Sequence, residues 1–358
     1  MRDISIDNNI GTYSIANIKE SNQVKGRLYY IDFLKCIGLT CIIIAHVESP
    51  SWLMMLRNFD VPLMVILSAI LAHKSYLKNS KSKTCVIDYF KSRIKRLVIP
   101  TWSFLVFYFA FKLIVIGNIE SGKKILASFL LTRYGIRYVW IILIYIYSAM
   151  LIPVIDKYKL SIKGIVVAIT SYIIYEISYH YGFGLNGGVL EYFLNTTFYY
   201  IVPYGLITYL GYNYSNMNNI AKKGILVTAF IAFIIFATYY RVSTGSFQLV
   251  QIAKYPPRLY YLSYGIACSF ALLLICERKS RKVYENRMVT FISKNSMGIY
   301  LWHILVLTIL EKSKLSIAWF IKLIVVYSGS IFIVVIVNHL GDFLESRYHI
   351  SYIKYLRG

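Results

Sequence analysis

The chain has 358 residues, of which 58% are hydrophobic and only 15% are charged, whereas a soluble domain usually carries about 25% charged residues. Because the apolar residues recur in long blocks from end to end, this composition excludes a soluble globular protein and predicts an all-α, polytopic membrane bundle. The net charge of +23 then indicates cytoplasmic loops and contact with anionic membrane lipid, and no nucleic-acid partner.

Ten segments are predicted to be transmembrane helices, since about 20 mostly apolar residues cross a bilayer. They are 29–47, 59–77, 97–116, 138–155, 160–179, 197–214, 224–240, 258–276, 295–310 and 316–340. A cytoplasmic N-terminus places about two-thirds of the Lys and Arg residues on the inner side, which predicts an N-in/C-in topology. The predicted domains are a cytoplasmic N-terminal segment 1–28, a transmembrane domain 29–340 and a cytoplasmic tail 341–358.

The first predicted span carries three polar residues that are costly inside a membrane. Lys35 and His46 are eleven residues apart, so they share one helical face at a separation of about 16 Å along the axis. Asp32 precedes Lys35 by three residues and can pair with it. Charged residues within a span are candidate functional residues. The alternative is that Asp32 and Lys35 snorkel to the interface and that His46 lies among the outer headgroups.

A basic pair follows between the second and third predicted spans. Arg93 and Arg96 stand at i and i+3, so their guanidinium groups project together from a helix. Such a pair suits bidentate recognition of phosphate. A stop-transfer cluster that contacts anionic lipid is an equally good interpretation.

Two later spans add further candidates. Glu176 lies in the fifth span, where a carboxylate is costly. Ser296, Tyr300 and His303 fall on one stripe of the ninth span, although His303 could serve packing alone. The segment 180–200 combines glycines with aromatic rings that suit sugars, but an interfacial aromatic belt is the more ordinary interpretation. The chain has no CxxC, HExxH or Gly-rich phosphate motif, so neither a metal nor a bound cofactor is predicted.

In their order and spacing, these motifs resemble the acyltransferase-3 family of integral membrane acyltransferases. The resemblance rests first on a basic residue, ten intervening residues and a histidine, here Lys35 and His46, with Asp32 before them. Arg93-x-x-Arg96 followed by Pro100 is similar to the family's second motif. The family's closing motif resembles the stretch that contains Ser296, Tyr300 and His303.

Two elements depart from the family pattern. Ser68 is followed by Ala69 and Ile70, where the family usually has Ser-Gly-Phe. Trp140 begins Trp-Ile-Ile, where a Trp-Phe-Leu-like element is expected. Ser68 and Trp140 are therefore secondary site candidates.

The resemblance implies a transferase that moves an acyl group, most often acetyl, from acyl-CoA to a hydroxyl. The acceptor would be a surface polysaccharide or a lipid-linked sugar, and the protein would lie in the inner membrane of a bacterium. Arg93 and Arg96 would hold the donor, and His46 would be essential. Since an acceptor hydroxyl needs a base, His46 is the best candidate for that base, and Glu48 and Asp60 are the two lower-ranked candidates for the group that orients it. The N-in topology then predicts a transverse channel along the Lys35 and His46 face, through which the pantetheine arm reaches His46.

Other functions remain open from the sequence. An exporter of polysaccharide or lipid-linked sugar could use the charged groups within spans as a polar pathway; these are Lys35, Lys112, Glu176 and Lys322. A polysaccharide polymerase or ligase would need a large outer loop, and no predicted outer segment exceeds about 22 residues. A purely structural membrane protein gives no reason for Lys35 and His46 to share a face.

Overall fold

The computed structural model describes residues 27–79, 85–117, 120–181 and 188–349. Across these ranges the chain is helical and forms no β-strand. The predicted N-terminal segment lies almost wholly outside the described residues, as do residues 350–358 of the predicted tail. The same holds for Gly182, Gly184 and Gly187 of the aromatic segment.

Fifteen α-helices are described, joined by short 3₁₀ and π-helical turns. In chain order they are α1 (Tyr29–Ile44), α2 (Ser51–Leu56), α3 (Asp60–Asn79), α4 (Cys85–Phe111), α5 (Gly122–Phe129), α6 (Trp140–Tyr158), α7 (Ile162–His180), α8 (Val189–Phe193), α9 (Tyr199–Asn213), α10 (Asn219–Thr244), α11 (Leu259–Glu277), α12 (Arg281–Tyr284), α13 (Arg287–Lys294), α14 (Ser296–Ser313) and α15 (Trp319–Tyr348). The last helix continues past residue 340, where the final span was predicted to end.

Seven helical segments are long and apolar enough to cross a membrane. They are Ser51–Tyr76, Val86–Ile116, Trp140–Tyr158, Ile162–His180, Asn219–Thr244, Leu259–Glu277 and Trp319–Tyr348. The other three predicted spans correspond to α1, α9 and α14, which are helical but shorter or more polar. The predicted number of ten spans is therefore not confirmed, and neither is the N-in/C-in topology.

The three helices outside that set lie inside the bundle. α9 packs against α3, α6 and α7, and α1 packs against α3, α13, α14 and α15. α1 has 16 residues, a length of about 24 Å, less than the bilayer's hydrocarbon core of about 30 Å. Enclosed helices can be short and polar because their side chains meet protein or a cavity rather than lipid. α1 and α14, which carry Lys35 and His303, are thus among the helices that hydropathy identifies least well, whereas α4, which carries Arg93 and Arg96, is one of the seven.

The outer helices show the opposite pattern. α7, α10 and α15 present large apolar side chains on their exposed faces, such as Ile165, Ile231 and Phe332. Contiguous exposed apolar surface of this kind indicates contact with lipid. The protein is accordingly an integral membrane protein whose outer helices are apolar on their exposed faces.

Glycines allow close approach at the centre of the bundle. A Cβ atom at Gly211 of α9 would lie 2.8 Å from the carbonyl oxygen of Ile66 in α3. A Cβ atom at Gly265 of α11 would lie 2.4 Å from Cγ of Pro62, also in α3. Small residues at such crossings bring helix backbones together within a membrane. α3 is therefore in close contact with α9 on one side and with α11 on the other. These contacts fix the position of a helix that lines two internal cavities.

Candidate active site

Two cavities lie end to end in the bundle. The first, of about 400 Å³, is lined by Lys35, Ser68 and other residues of α1, α3, α4, α6 and α14; we name it the lysine cavity. The second, of about 690 Å³, is lined by His46, Asp60 and residues that extend to the loop before α11; we name it the histidine cavity. Their volumes are in the range of small-molecule sites.

The two cavities share a narrow boundary. Ile42, Ile141 and Tyr300 line both of them. We name these three residues the neck. Lys35 of α1 lines the lysine cavity, Ile42 of α1 lines both, and His46, in the turn that follows α1, lines the histidine cavity. Lys35 and His46 therefore stand on opposite sides of the neck. The two residues that the sequence predicts on one face thus line adjoining cavities.

His46 is bound to a second histidine. Its Nδ1 atom lies 3.0 Å from Nε2 of His303, and the two rings stack with centroids 5.2 Å apart. The ring of Tyr138 meets His46 edge-on at 4.7 Å. His303 is fully buried, whereas His46 is half-buried and lines the histidine cavity. The partner of His46 is thus His303, and neither Glu48 nor Asp60, the two candidates considered from the sequence.

The hydrogen bonds of His303 determine the tautomers of both rings. Nδ1 of His303 is hydrogen-bonded to the carbonyl oxygen of Tyr300. A carbonyl oxygen only accepts, so this nitrogen carries the proton and Nε2 of neutral His303 is an acceptor. Nδ1–H of His46 therefore donates to His303. Nε2 of His46 is left with a free lone pair, the form that a general base requires.

Asp32 binds partners other than the predicted Lys35. Its carboxylate accepts a hydrogen bond of 2.7 Å from Nε of Arg27 and one of 2.6 Å from Oγ of Ser293. Arg27 precedes α1 and Ser293 lies in α13, so Asp32 fastens the start of α1 to its neighbour. It lines neither cavity, although it lies only three residues before Lys35 in α1.

The predicted donor-binding pair lies in the lysine cavity. Arg93 and Arg96 project from α4 into the same space as Lys35. Arg93 rests over the ring of Tyr89, 4.9 Å from its centroid, while Arg96 is exposed. Three cations in one cavity make it attractive for an anionic group such as phosphate.

Asp60 and Glu48 have cationic partners at the histidine cavity. Asp60 accepts a 2.7 Å hydrogen bond from Arg57 and lies 3.5 Å from Nζ of Lys254. Burial lowers the pKa of Lys254 to about 8, still above neutrality, so this amine is charged at pH 7. Glu48 pairs with Lys322 at 3.0 Å. Neither carboxylate is therefore free to orient His46.

Comparison with known proteins identifies the family. The family model described as an acyltransferase domain, that of the acyltransferase-3 family, matches residues 28–339. The chain belongs to the acyltransferase-3 family. It is a membrane acyltransferase. No curated protein and no solved structure matches it.

The secondary candidates of this acyltransferase have different locations. Ser68 and Ser296 line the lysine cavity, Trp140 lines the histidine cavity, and Tyr300 belongs to the neck. Glu176 instead accepts from Arg258 at 2.9 Å and from the Tyr172 hydroxyl at 2.7 Å. This ties α7 to the start of α11, away from both cavities.

Four cationic residues of the acyltransferase's histidine cavity were not predicted as site residues. They are Arg57, Arg133, Arg137 and Lys254. In the sequence each belongs to a short segment between predicted spans, where basic residues are ordinary. Asp60 is the sequence feature that could have revealed them, because a carboxylate at the start of an apolar span requires a cationic partner.

Proposed function

We propose that this acyltransferase moves an acyl group from acyl-CoA to a hydroxyl of a surface polysaccharide or of its lipid-linked precursor. The acyl group that we propose is acetyl. The observation that carries the proposal is the free Nε2 lone pair of His46 at a cavity that adjoins a second, cationic cavity through a neck. Acyl transfer to an alcohol needs such a base.

The donor would occupy the lysine cavity. The phosphates of CoA suit Arg93, Arg96 and Lys35, because guanidinium and ammonium groups bind phosphate through charge-assisted hydrogen bonds. The slender pantetheine arm would then extend through the neck and carry its thioester to His46. In the membrane, the lysine cavity would face the cytoplasm, where acyl-CoA is made, as the charge distribution favours.

The chemistry balances with His46 alone as the proton carrier. Nε2 of His46 takes the proton of the acceptor hydroxyl while the hydroxyl oxygen attacks the thioester carbonyl carbon. Collapse of the tetrahedral intermediate breaks the carbon–sulfur bond, and the leaving thiolate takes the proton from the imidazolium. His303 stabilises the transient charge because its Nε2 accepts from Nδ1–H of His46 throughout. The products are an ester and free CoA.

Replacement of His46 by Ala tests this proposal. Mass spectrometry of surface glycans from matched strains should show loss of ester-linked acyl groups, with the protein still inserted in the membrane. The expected loss is about 10²-fold or more, as for removal of a general base. A normal ester content in the His46→Ala strain would reject the assignment.

The same strains address the alternative of export. Two adjoining polar cavities in a membrane bundle also fit a pathway for a sugar. Loss of the polymer itself from the cell surface would support an exporter. Loss of acyl groups from a polymer that is still exported would support the transferase.

A further inference from the structure

The histidine cavity has an excess of positive charge that the reaction of His46 does not use. Its lining includes four cations, Arg57, Lys254, Arg133 and Arg137, and two carboxylates, Asp60 and Glu48. A neutral glycan could accept hydrogen bonds from the two exposed arginines, Arg133 and Arg137, but would leave their charge without a counterion. The excess charge therefore bears on the chemistry of the acceptor.

The ion pairs of the two carboxylates show which of the four cations have no acidic partner. Asp60 is bound by both Arg57 and Lys254, and Glu48 is bound by Lys322. Within the described part of the chain, no carboxylate lies in ion-pair distance of Arg133 or Arg137. In addition, Nε of Arg57 is buried without a hydrogen-bond partner among those same residues.

Arg133 is held in a fixed position. Its Nη1 donates to the hydroxyl of Tyr200 at 3.2 Å, and its guanidinium lies 5.5 Å from the ring centroid of Tyr134. The turn that carries it is anchored as well, because the Ser128 hydroxyl accepts from the backbone N–H of Ile136 at 2.8 Å. An arginine already oriented loses less entropy when it binds an anion.

Arg137 follows four residues after Arg133 in the same segment and lines the same cavity. Gly135 approaches Ser128 so closely that a Cβ atom there would lie 2.4 Å from the Ser128 backbone nitrogen. This contact folds the segment back on α5 and directs both exposed arginines towards the space that His46 lines. Guanidinium groups that line one cavity can bind the oxygens of a carboxylate or phosphate.

We propose that the histidine cavity is an acceptor subsite for an anionic sugar, in which Arg133 and Arg137 bind a carboxylate or phosphate near the hydroxyl that is acylated. The inference rests on the proposed function, in which Lys35, Arg93 and Arg96 serve the donor's phosphates in the other cavity. Because Lys35, Arg93 and Arg96 lie on the other side of the neck, the two arginines that share a cavity with His46 can bind the acceptor.

The test uses the full chain reconstituted in lipid nanodiscs with acetyl-CoA as the donor. Three acceptor probes are compared: methyl glucuronide, glucose 1-phosphate and the neutral methyl glucoside. The wild-type protein should bind and acetylate one or both anionic probes at lower concentration than the neutral probe. A preference for the glucuronide indicates a sugar acid as acceptor, and a preference for the phosphate indicates a lipid-linked sugar phosphate.

The double variant Arg133→Gln, Arg137→Gln should raise the KM for the preferred anionic probe by about tenfold or more, since charge-assisted hydrogen bonds are lost. Its KM for methyl glucoside and its Kd for acetyl-CoA should not change. Arg241→Gln is the matched control, because Arg241 is an exposed arginine that lines neither cavity; it should behave as wild type.

Three results would overturn the inference. One is equal use of the charged and neutral probes by an active protein, and another is an unchanged KM in the double variant. The third is weaker acetyl-CoA binding in the double variant, which would assign these arginines to the donor. Equilibrium binding of the three probes, measured without acetyl-CoA, separates this inference from the proposed function. Tighter binding of an anionic probe by a protein that transfers no acyl group would support the acceptor subsite and contradict the proposed function.

Discussion

At the scale of single residues, the bond between His46 and His303 decides which nitrogen of His46 can act as a base. Since the Tyr300 carbonyl keeps the proton of His303 on Nδ1, His46 must direct Nδ1–H to His303 and keep Nε2 free. His303 is buried and lines neither cavity, so it acts as a positioning residue rather than a group that contacts substrate.

Replacement of His303 by Phe should remove this orientation while retaining a ring of similar bulk. We expect kcat to fall by about 10²-fold or more, because His46 loses its fixed tautomer, with little change in the KM for acetyl-CoA. His303→Gln should recover part of the activity, since a Gln side-chain oxygen can accept from Nδ1–H of His46. Steady-state kinetics in nanodiscs measures both parameters, and a His303→Phe protein with wild-type kcat would show that the pairing serves packing only.

At the scale of elements, the position of α3 between α9 and α11 defines the shape of both cavities. α3 supplies Met64 and Ser68 to the lysine cavity and Asp60 and Val61 to the histidine cavity. Its close approach to α9 depends on Gly211, beside the backbone of Ile66. Any added side-chain atom at that crossing must separate the two helices.

Gly211→Ala should therefore destabilise the protein, by about 1–3 kcal/mol as for other overpacked sites. The nearest atoms include backbone of Ile66, which cannot move aside as a flexible side chain can. Gly224→Ala in α10 is the matched control, because no described atom lies within 4 Å of a Cβ atom there. Thermal unfolding of the two variants in detergent should show a lower Tm only for Gly211→Ala, and equal Tm values would contradict the close-approach argument.

The helices illustrate what the sequence could predict and what it could not. Hydropathy could locate helical segments at all the positions proposed, because burial in lipid or protein demands apolar residues either way. It could not distinguish α1, α9 and α14 from lipid-facing spans, since that depends on which helices surround them. Helical spacing also predicted one face for Lys35 and His46, although α1 ends at Ile44 and His46 lies in the turn that follows.

Contacts between distant elements could not be predicted in this way. His303 is 257 residues from His46, so only the tertiary arrangement of α1 and α14 makes them partners. For Asp32 the nearest cation along the helix, Lys35, was the natural candidate, yet Arg27 and Ser293 bind it. Tertiary packing determines which side chains become partners. Sequence spacing can predict such a pair only when both partners lie on the same helix.

At the scale of the whole molecule, the two cavities make a continuous route only if the neck admits the acyl-pantetheine arm. Ile42, Ile141 and Tyr300 contribute to both cavities. Ile42 and Ile141 are 5% and 3% exposed, so the neck is a packed constriction rather than an open pore. A small acyl group such as acetyl suits this passage better than a long chain.

Ile141→Phe tests the route by adding bulk at the neck. We expect acyl transfer to fall by about tenfold or more, because a near-attack position requires the thioester to reach His46. Acetyl-CoA affinity should be nearly unchanged, since the variant retains Arg93 and Arg96, which line the lysine cavity and hold the CoA phosphates in the proposed function. Transfer rate and donor Kd are measured on the same nanodisc sample.

Ile144→Phe is the control for overpacking. Ile144 is also a buried isoleucine of α6, but it lines neither of the two cavities, so its enlargement should cost similar stability, about 1–3 kcal/mol, without blocking the route. If both variants lose transfer in proportion to their loss of folded protein, the neck has no special role. If Ile141→Phe alone loses transfer while it still binds acetyl-CoA, donor and acceptor meet through the neck. The distance from Lys35 in α1 to His46 in the turn after it is then the length that the acyl-pantetheine arm must cross.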